Sequence, residues 1–334
     1  MKIAFLFPGQ GSQKVGMGRD LYEKYELVRS VYREASKITN IDIATLCFNG
    51  IKKEYTYKDY IDIKEIGEDL NKTENTQIAI ATLSLSILSV LKQKNIRADI
   101  AVGLSLGEYP ALIYSEMLNF KDGIKLLKHR GYLMQNKLPK GEYSMLAIIG
   151  LEASKIEKIC NDLNKEGKFI VPANYNYSNQ TVVSGNKEVI QEASSIFKEN
   201  GARKVVELKT SGPFHTKALE QAKNEYINEL NKVTFNQGKI KVIKNIDGTF
   251  YTEKDNVNEI LAKHIINPVR FDKTIKLMED EGIDTFVEIG PGKTLTGFIK
   301  KECKDANVIN IYDVETLENA LQILENKEGE QYGK

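Results

Sequence analysis

The sequence predicts an α/β protein in which a large domain with a parallel sheet carries a smaller inserted domain. Apolar strands that end in glycine turns and lead into helices are typical of a parallel α/β sheet. Between residues 144 and 209 the order of predicted elements changes to βαββαβ, the order of the split-βαβ, ferredoxin-like unit. A chain of 334 residues is long enough to bury a core in each of two such domains.

The large domain begins with a predicted buried strand at 2–7, which ends in a glycine-containing loop. Residues 77–93 contain no strand breakers and run too long for a strand, so they predict a largely buried helix. The next strand is predicted at 98–102, with a helix from Leu106 onwards. Residues 285–289 (TFVEI) predict a further strand, which a Gly-Pro-Gly turn separates from another helix.

The inserted domain is predicted over 136–207, between two parts of the large domain at 1–135 and 208–325. Its predicted elements are, in order, strand SMLAIIGL, helix ASKIEKICNDLNK, strand FIVPAN, strand QTVVSG, helix KEVIQEASSIFKEN and strand RKVVELK. Residues 52–69 are dense in charge and tyrosine and predict a surface excursion. We expect the tail at 326–334 to be frayed.

The composition is that of an ordinary soluble globular protein, with 41% hydrophobic and 28% charged residues. A formal net charge of +1 gives no global electrostatic reason to expect nucleic-acid or membrane binding. The three cysteines are far apart, which favours neither a disulfide framework nor a zinc site. The first apolar run is too short for a signal peptide, and no apolar run predicts a membrane span. We therefore expect a reduced, cytoplasmic protein.

Ser105 is the leading candidate nucleophile. It lies between Gly103 and Gly107, directly after a predicted strand, and glycines at this spacing permit a sharp turn and close packing. A serine in such a strand–turn–helix context has the geometry of a nucleophile elbow. The alternative is a tight turn in which the serine is passive.

The candidate base is a histidine, because a serine hydroxyl is a weak nucleophile until a base takes its proton. Of the three histidines, His129 lies in a helical stretch and His264 precedes Ile-Ile-Asn-Pro. His215 follows the last strand of the inserted domain on a Gly-Pro loop, and such loops often carry catalytic residues. His215 is therefore the leading candidate.

Acyl transfer to serine also needs backbone N–H groups that stabilise a developing oxyanion. One donor would be Leu106, the residue after the nucleophile. The loop at 7–11 has the flexibility to supply the second, although it also fits a simple glycine turn. Its glycines, and those at 290–292, lack the spacing of a dinucleotide- or phosphate-binding loop.

Several segments together resemble the malonyl-CoA:acyl carrier protein transacylase family, in the order found there and over nearly the whole chain. The segments are FPGQGSQ (7–13), GLSLGEY (103–109), HRG (129–131), ANYN followed by QTVVSG (173–185), GPFH (212–215), NPVRF (267–271) and EIGPGKTLTG (288–297). The resemblance implies a hydrolase-like large domain with a ferredoxin-like insert.

The resemblance also implies a role for individual residues. Ser105 and His215 would form a catalytic dyad, with main-chain donors from Gln10 and Leu106, and Arg130 would bind the free carboxylate of a malonyl group. A planar guanidinium can hold a carboxylate through two parallel hydrogen bonds, which makes that role physically sensible. By itself, an arginine in KHRG is more often a solvated helix residue.

The chain departs from the family pattern near the predicted site. Leu104 precedes the nucleophile where the family commonly has histidine, which removes a polar group from the pocket wall. His264 lies where the family usually has glutamine and where its main-chain carbonyl orients the catalytic histidine. Phe214, which is bulky and adjacent to the base, is expected to disfavour an α-methyl group on the substrate. The excursion at 52–69 is longer than usual.

The sequence thus predicts an acyltransferase that moves a malonyl group from coenzyme A to acyl carrier protein through a malonyl-serine, for fatty-acid synthesis. No cofactor or metal is expected, and we expect a monomer that binds neither nucleic acid nor membrane. One alternative is a serine hydrolase or thioesterase with the same elbow. Another is a discrete acyltransferase for polyketide assembly. A carrier-binding module without chemistry is least favoured, because both dyad residues are present.

Overall fold

A computed structural model describes residues 1–50, 52–58, 60–66, 69–208 and 212–332. Its strands are β1 (Ile3–Phe7), β2 (Lys52–Lys58), β3 (Tyr60–Ile66), β4 (Ile100–Gly103), β5 (Tyr143–Ile149), β6 (Ile170–Tyr177), β7 (Gln180–Asn186), β8 (Lys204–Leu208), β9 (Lys241–Val242), β10 (Val269–Arg270), β11 (Thr285–Ile289) and β12 (Asn307–Ile311).

The α-helices are α1 (Arg19–Lys24), α2 (Glu26–Thr39), α3 (Ile43–Asn49), α4 (Thr73–Gln93), α5 (Glu108–Tyr114), α6 (Phe120–Asn136), α7 (Ala153–Lys165), α8 (Lys187–Glu199), α9 (Glu220–Leu230), α10 (Val257–His264), α11 (Phe271–Asp280), α12 (Thr294–Glu302) and α13 (Val314–Tyr332). Short 3₁₀ turns cover Ser105–Gly107 and Lys217–Leu219.

The large sheet has the strand order β12-β11-β1-β4-β9, and its neighbouring strands are parallel. The central strand β1 is buried along its whole length, which explains its uninterrupted run of apolar residues. Because the strands are parallel, β1 and β4 end at the same edge of the sheet, with Phe7 opposite Gly103. The predicted nucleophile therefore follows directly at that edge.

The small sheet has the order β10-β6-β7-β5-β8. Strands β5 to β8, with α7 and α8 between them, follow the predicted βαββαβ order, and they pair antiparallel. The sequence did not predict β10, which lies far along the chain and pairs parallel with β6 at the sheet edge. The boundaries of the inserted domain at 136 and 207 stay a prediction.

Helix α4 is the predicted buried helix and begins at Thr73, four positions before the predicted start. It is long and apolar enough to cross a membrane by length and composition, contrary to expectation. However, 89% of its apolar window is buried inside the fold, where it packs against α2 and α6. Its apolar character therefore serves the core.

The sequence made predictions for two further segments, a surface excursion at 52–69 and a frayed tail at 326–334. Within the predicted excursion at 52–69, β2 and β3 pair as an antiparallel hairpin, while residues 59, 67 and 68 lie outside the described residues. The tail predicted to be frayed is helical as far as Tyr332 in the structure. Helix α13 is anchored by buried Leu317 and Leu324, and residues 333 and 334 of the predicted tail lie outside the described residues.

Candidate active site

The turn after β4 is a sharp elbow that places Ser105 in the left-handed region, with a φ of 55°. The flanking glycines are required by close packing. A Cβ atom on Gly103 would lie 1.9 Å from the carbonyl carbon of Gly107, and one on Gly107 would lie 2.1 Å from the carbonyl oxygen of Phe7. The spacing that singled out Ser105 therefore reflects the contact of this turn with the end of β1.

Asn245, in the loop after β9, braces the elbow from the side. Its Oδ1 accepts a hydrogen bond from the backbone N–H of Ser105 over 2.8 Å. Its Nδ2 donates to the carbonyl of Gly103 over 2.7 Å. One buried side chain thus fixes the backbone on both sides of the turn, and sequence reasoning missed it.

His215 lies against the nucleophile, with its Nε2 atom 2.8 Å from the Oγ of Ser105. Its Nδ1 is 2.9 Å from the main-chain carbonyl oxygen of His264, the hydrogen bond that the family resemblance implied. A carbonyl oxygen can only accept, so the proton of the neutral ring is on Nδ1. The lone pair on Nε2 is then free to accept the serine proton.

The surroundings of His215 favour its neutral form. Burial, the neighbouring His264 and the positive charge of Arg130 hold the pKa of His215 well below its usual value of 6.5. Its backbone is in the left-handed region, with a φ of 60°. Among the described residues only five that are not glycine have a positive φ, and Ser105 is another of them. Backbone strain thus coincides with the candidate dyad.

Arg130 is on α6 and, unlike an ordinary helix arginine, only 1% of its surface is exposed. Its Nη2 donates to the Oγ of Ser105 over 3.1 Å, and its Nη1 donates to the Oε1 of Gln77 over 2.8 Å. The guanidinium also lies 5.8 Å from the ring centroid of Tyr109. Both polar partners are neutral, so a buried positive charge faces the nucleophile.

These side chains open into a cavity of about 440 Å³ between the two sheets. Its walls combine apolar side chains with the amides of Asn174, Asn176 and Gln180 from the small sheet. The predicted residues that line it are Gln10, Leu104, Ser105, Leu106, Arg130, Phe214 and His215. Leu104 makes the wall apolar next to the nucleophile. A single cavity therefore contains every predicted site residue except His264.

His264 contacts His215 from outside this cavity. The other histidine, His129, is exposed on α6 and plays no part in this arrangement. The part of the chain that the structure describes contains no cluster of three or more His, Cys, Asp or Glu side chains able to hold a metal ion. Cys47 and Cys160 are buried free thiols away from the cavity, and burial raises the pKa of each to about 12.

Sequence reasoning missed three polar side chains at this site. Gln77 was placed in a predicted buried helix, but nothing in the residues around it indicated that its amide would face an arginine. Asn245 follows a strand of only two residues, too short to predict. Glu108 was part of the motif GLSLGEY, and that was the available signal: a buried acid directly after the elbow.

A parallel sheet that presents a serine at an elbow, next to a neutral histidine and a cavity, defines the class of enzymes that carry acyl groups on serine. Residues 4–324 match the family described as acyl transferase domain. The malonyl CoA-acyl carrier protein transacylase of Bacillus subtilis is 36% identical over 326 residues, which are 98% of this chain and 98% of that protein.

Solved structures agree with this match. The malonyl CoA-acyl carrier protein transacylase from Clostridium perfringens has a TM-score of 0.89 and 37% identity, over 99% of this chain and 100% of that chain. A malonyl-transacylase in complex with its type II PKS acyl-carrier protein has a TM-score of 0.88 and 31% identity, over 96% and 99%. The chain is an acyltransferase and belongs to the malonyl-CoA:acyl carrier protein transacylase family.

Proposed function

We propose that this acyltransferase moves the malonyl group of malonyl-CoA to the phosphopantetheine thiol of acyl carrier protein and so supplies extender units for fatty-acid synthesis. The observation that carries the proposal is the position of Arg130. Its buried guanidinium is 3.1 Å from the Oγ of Ser105, and among the described residues no carboxylate lies within ion-pair distance of it. A buried, unpaired cation favours an acyl group that brings its own negative charge.

The first half-reaction forms a malonyl ester on Ser105. Its Oγ attacks the thioester carbonyl carbon while Nε2 of His215 takes the hydroxyl proton. The oxygen of the tetrahedral intermediate accepts hydrogen bonds from the backbone N–H groups of Gln10 and Leu106. The carbon–sulfur bond then breaks, and coenzyme A leaves as a thiol with the proton that His215 returns.

The second half-reaction reverses these roles. The phosphopantetheine thiol of the carrier protein attacks the ester carbonyl, and His215 takes the thiol proton. When the carbon–oxygen bond breaks, His215 gives the proton back to the Oγ of Ser105. One thioester replaces another, so the reaction is close to energy-neutral and requires no cofactor or metal.

Arg130 determines which acyl groups are accepted. The malonyl carboxylate is one methylene group away from the carbonyl that Ser105 attacks, so a cation next to the Oγ can reach it. Two parallel hydrogen bonds from a guanidinium would fix both the charge and the orientation of that carboxylate. An acetyl group would leave the buried cation with neutral partners only.

The same proposal includes the partners and the setting of the enzyme. Coenzyme A thioester and acyl carrier protein are its substrates, and one similar structure is a malonyl-transacylase in complex with its acyl-carrier protein. We infer that the protein acts as a monomer in the cytoplasm, without binding nucleic acid or membrane. The division into domains at 1–135 with 208–325, and at 136–207, is part of this proposal.

A hydrolase with the same elbow is the second candidate function. Serine hydrolases usually orient their histidine with a carboxylate. Here the Nδ1 of His215 is next to a main-chain carbonyl instead, which favours transfer over hydrolysis. A role in polyketide assembly is also consistent with this chemistry, because one similar structure is a malonyl-transacylase bound to a type II PKS acyl-carrier protein.

Mass spectrometry of the intact protein tests these possibilities. After mixing with malonyl-CoA we expect a stable malonyl adduct on Ser105. Addition of acyl carrier protein bearing phosphopantetheine should remove the adduct and produce malonyl-carrier protein. Hydrolysis of malonyl-CoA without a carrier protein, with rapid loss of any adduct to water, would support the hydrolase. Absence of any adduct with malonyl-CoA left intact would contradict both functions.

A further inference from the structure

A second buried acid–base pair lies directly behind the candidate dyad. The Nδ1 atom of His264 is 3.0 Å from the Oε2 of Glu108, and the side chain of each residue is only 1% exposed. His264 is the last residue of α10, and Glu108 is the first residue of α5. Two elements far apart in the sequence thus bring an imidazole and a carboxylate together in the core.

His264 contacts His215 in two ways. Its carbonyl oxygen is 2.9 Å from the Nδ1 of His215, at the edge of that ring. Its own imidazole stacks on the face of the same ring, with centroids 4.8 Å apart and planes inclined by 26°. A glutamine at this position would supply the same carbonyl but no titratable ring.

Glu108 and His264 contact each other through Oε2 and Nδ1, while the Oε1 of Glu108 accepts hydrogen bonds from the hydroxyl of Tyr251 over 2.7 Å and from the backbone N–H of Asn245 over 3.3 Å. Because a carboxylate oxygen accepts, the tautomer of His264 that suits this contact has its proton on Nδ1. The Nε2 atom of His264 is buried and has no hydrogen-bond partner among the described residues.

We propose that His264 and Glu108 form a buried positioning pair that holds the ring of His215 in place and keeps its Nε2 free to accept the serine proton. This inference rests on the proposed roles of Ser105 and His215 in acyl transfer. Glu108 holds the imidazole of His264 against the ring of His215, and this neighbouring imidazole lowers the pKa of His215. Neither residue touches the substrate.

Other charged and titratable groups face this pair and must be considered. Arg130 on α6 is on the substrate side of His215 and acts in the same direction as His264, since both lower the pKa of His215. The hydroxyls of Tyr109 on α5 and Tyr226 on α9 are hydrogen-bonded to each other over 2.6 Å. Next to Glu108, burial and that carboxylate raise the pKa of Tyr251, so it stays a neutral donor.

The decisive variant is His264→Gln, which keeps the main-chain carbonyl and removes the ring. Nuclear magnetic resonance of the imidazole Cε1–H groups can follow each histidine as the pH changes, because the chain has only three. We expect the titration midpoint of His215 to move to higher pH. The acidic limb of kcat/KM for malonyl transfer should move the same way, with kcat at the plateau changed by no more than a few-fold.

Glu108→Gln provides a second, independent variant, because it replaces the carboxylate that holds the imidazole of His264 with a neutral amide. Its His215 midpoint should also move to higher pH, and the double variant should shift no further than His264→Gln alone. His129→Gln is the matched control, as this histidine is exposed, and its profile should equal that of the wild type.

An unchanged His215 midpoint and acidic limb in His264→Gln would overturn the inference. So would a loss of plateau kcat of about 10²–10⁴-fold with an unshifted limb, since that is typical of a residue that transfers the proton itself. Absence of transfer in the wild-type protein would instead contradict the proposed function.

Discussion

The Nη2 of Arg130 donates a hydrogen bond to the Oγ of Ser105, the same oxygen that is 2.8 Å from the Nε2 of His215. The free enzyme thus holds its nucleophile between a cation and a base. When a substrate carboxylate binds the guanidinium, Nη2 of Arg130 has to donate to the substrate as well as to Ser105. The charge of the substrate therefore changes the environment of the nucleophile.

Arg130→Ala should lower kcat/KM for malonyl-CoA. The expected loss of transition-state stabilisation is about 3–5 kcal/mol, on the scale of a broken buried charge pair. Acetyl-CoA has no carboxylate, so its transfer should be unchanged or faster. Arg130→Lys keeps the charge but not the two parallel hydrogen bonds, and should lie between wild type and Arg130→Ala. The measurement is kcat/KM for malonyl-, methylmalonyl- and acetyl-CoA in all three proteins. Equal losses for malonyl and acetyl transfer would make Arg130 a structural residue.

Ser105→Ala should abolish the malonyl adduct, because no other serine lies at the elbow. The fold should be retained, since the φ of 55° disfavours alanine and serine alike. Ser178→Ala, at an exposed serine, is the control and should form the adduct as the wild type does. Intact-protein mass spectrometry decides, and an adduct that persists on another residue of Ser105→Ala would refute the assignment.

Gly107→Ala should destabilise the protein by at least about 1–3 kcal/mol, because the added carbon would lie 2.1 Å from the carbonyl oxygen of Phe7. Gly297→Ala is a matched control in helix α12, where a Cβ atom would meet nothing within 4 Å. That change should stabilise the protein by about 0.5–1 kcal/mol. Urea unfolding measures both, and equal stability of the two variants would show that the elbow relaxes freely.

Asn245→Asp should disturb the elbow while it changes little in shape. The new oxygen would face the carbonyl of Gly103, where the amide now donates over 2.7 Å, at a cost of about 1–3 kcal/mol. We expect lower stability and a lower rate of acylation of Ser105. Asn228→Asp, on the exposed side of α9, should leave both unchanged. An Asn245→Asp protein with the wild-type acylation rate would show that the brace does not position the nucleophile.

The lowered pKa of His215 predicts how stability depends on pH. Below 6.5 the unfolded chain binds a proton at this residue that the folded protein still excludes, so the free energy of unfolding falls as the pH decreases through this window. His215→Gln removes the contribution. Between about pH 7.5 and pH 5.5 the wild type should lose more stability than His215→Gln in urea titrations. His129→Gln should follow the wild type, and identical slopes for all three proteins would contradict the lowered pKa.

Local patterns predicted the elements, because strands and helices are encoded by neighbouring residues. Strand β11 covers the predicted 285–289 without a shift, and the βαββαβ order of β5 to β8 was evident from alternating strand and helix patterns. Strands β9 and β10 have two residues each and carry no such pattern. Their pairing depends on the tertiary fold, which a single sequence does not reveal.

The residues of the candidate site also differ in whether local sequence features predict them. Ser105 and His215 could be found because an elbow and a loop histidine are local features. The brace from Asn245 joins positions 140 residues apart, and nothing around either residue indicates the contact. The burial of Arg130 is similar: its short motif resembles a family pattern, but the amide of Gln77 that receives it lies on another helix.

The positive φ angles of Ser105 and His215 have a consequence for the history of the chain. A residue other than glycine enters that region at a cost on the order of 1 kcal/mol or more. If natural selection for acyl transfer were relaxed, replacement of either residue by glycine would remove the reactive group and the backbone strain together. Descendants that had lost the chemistry should therefore tend to carry glycine at these two positions and to unfold at higher temperature than their active ancestors.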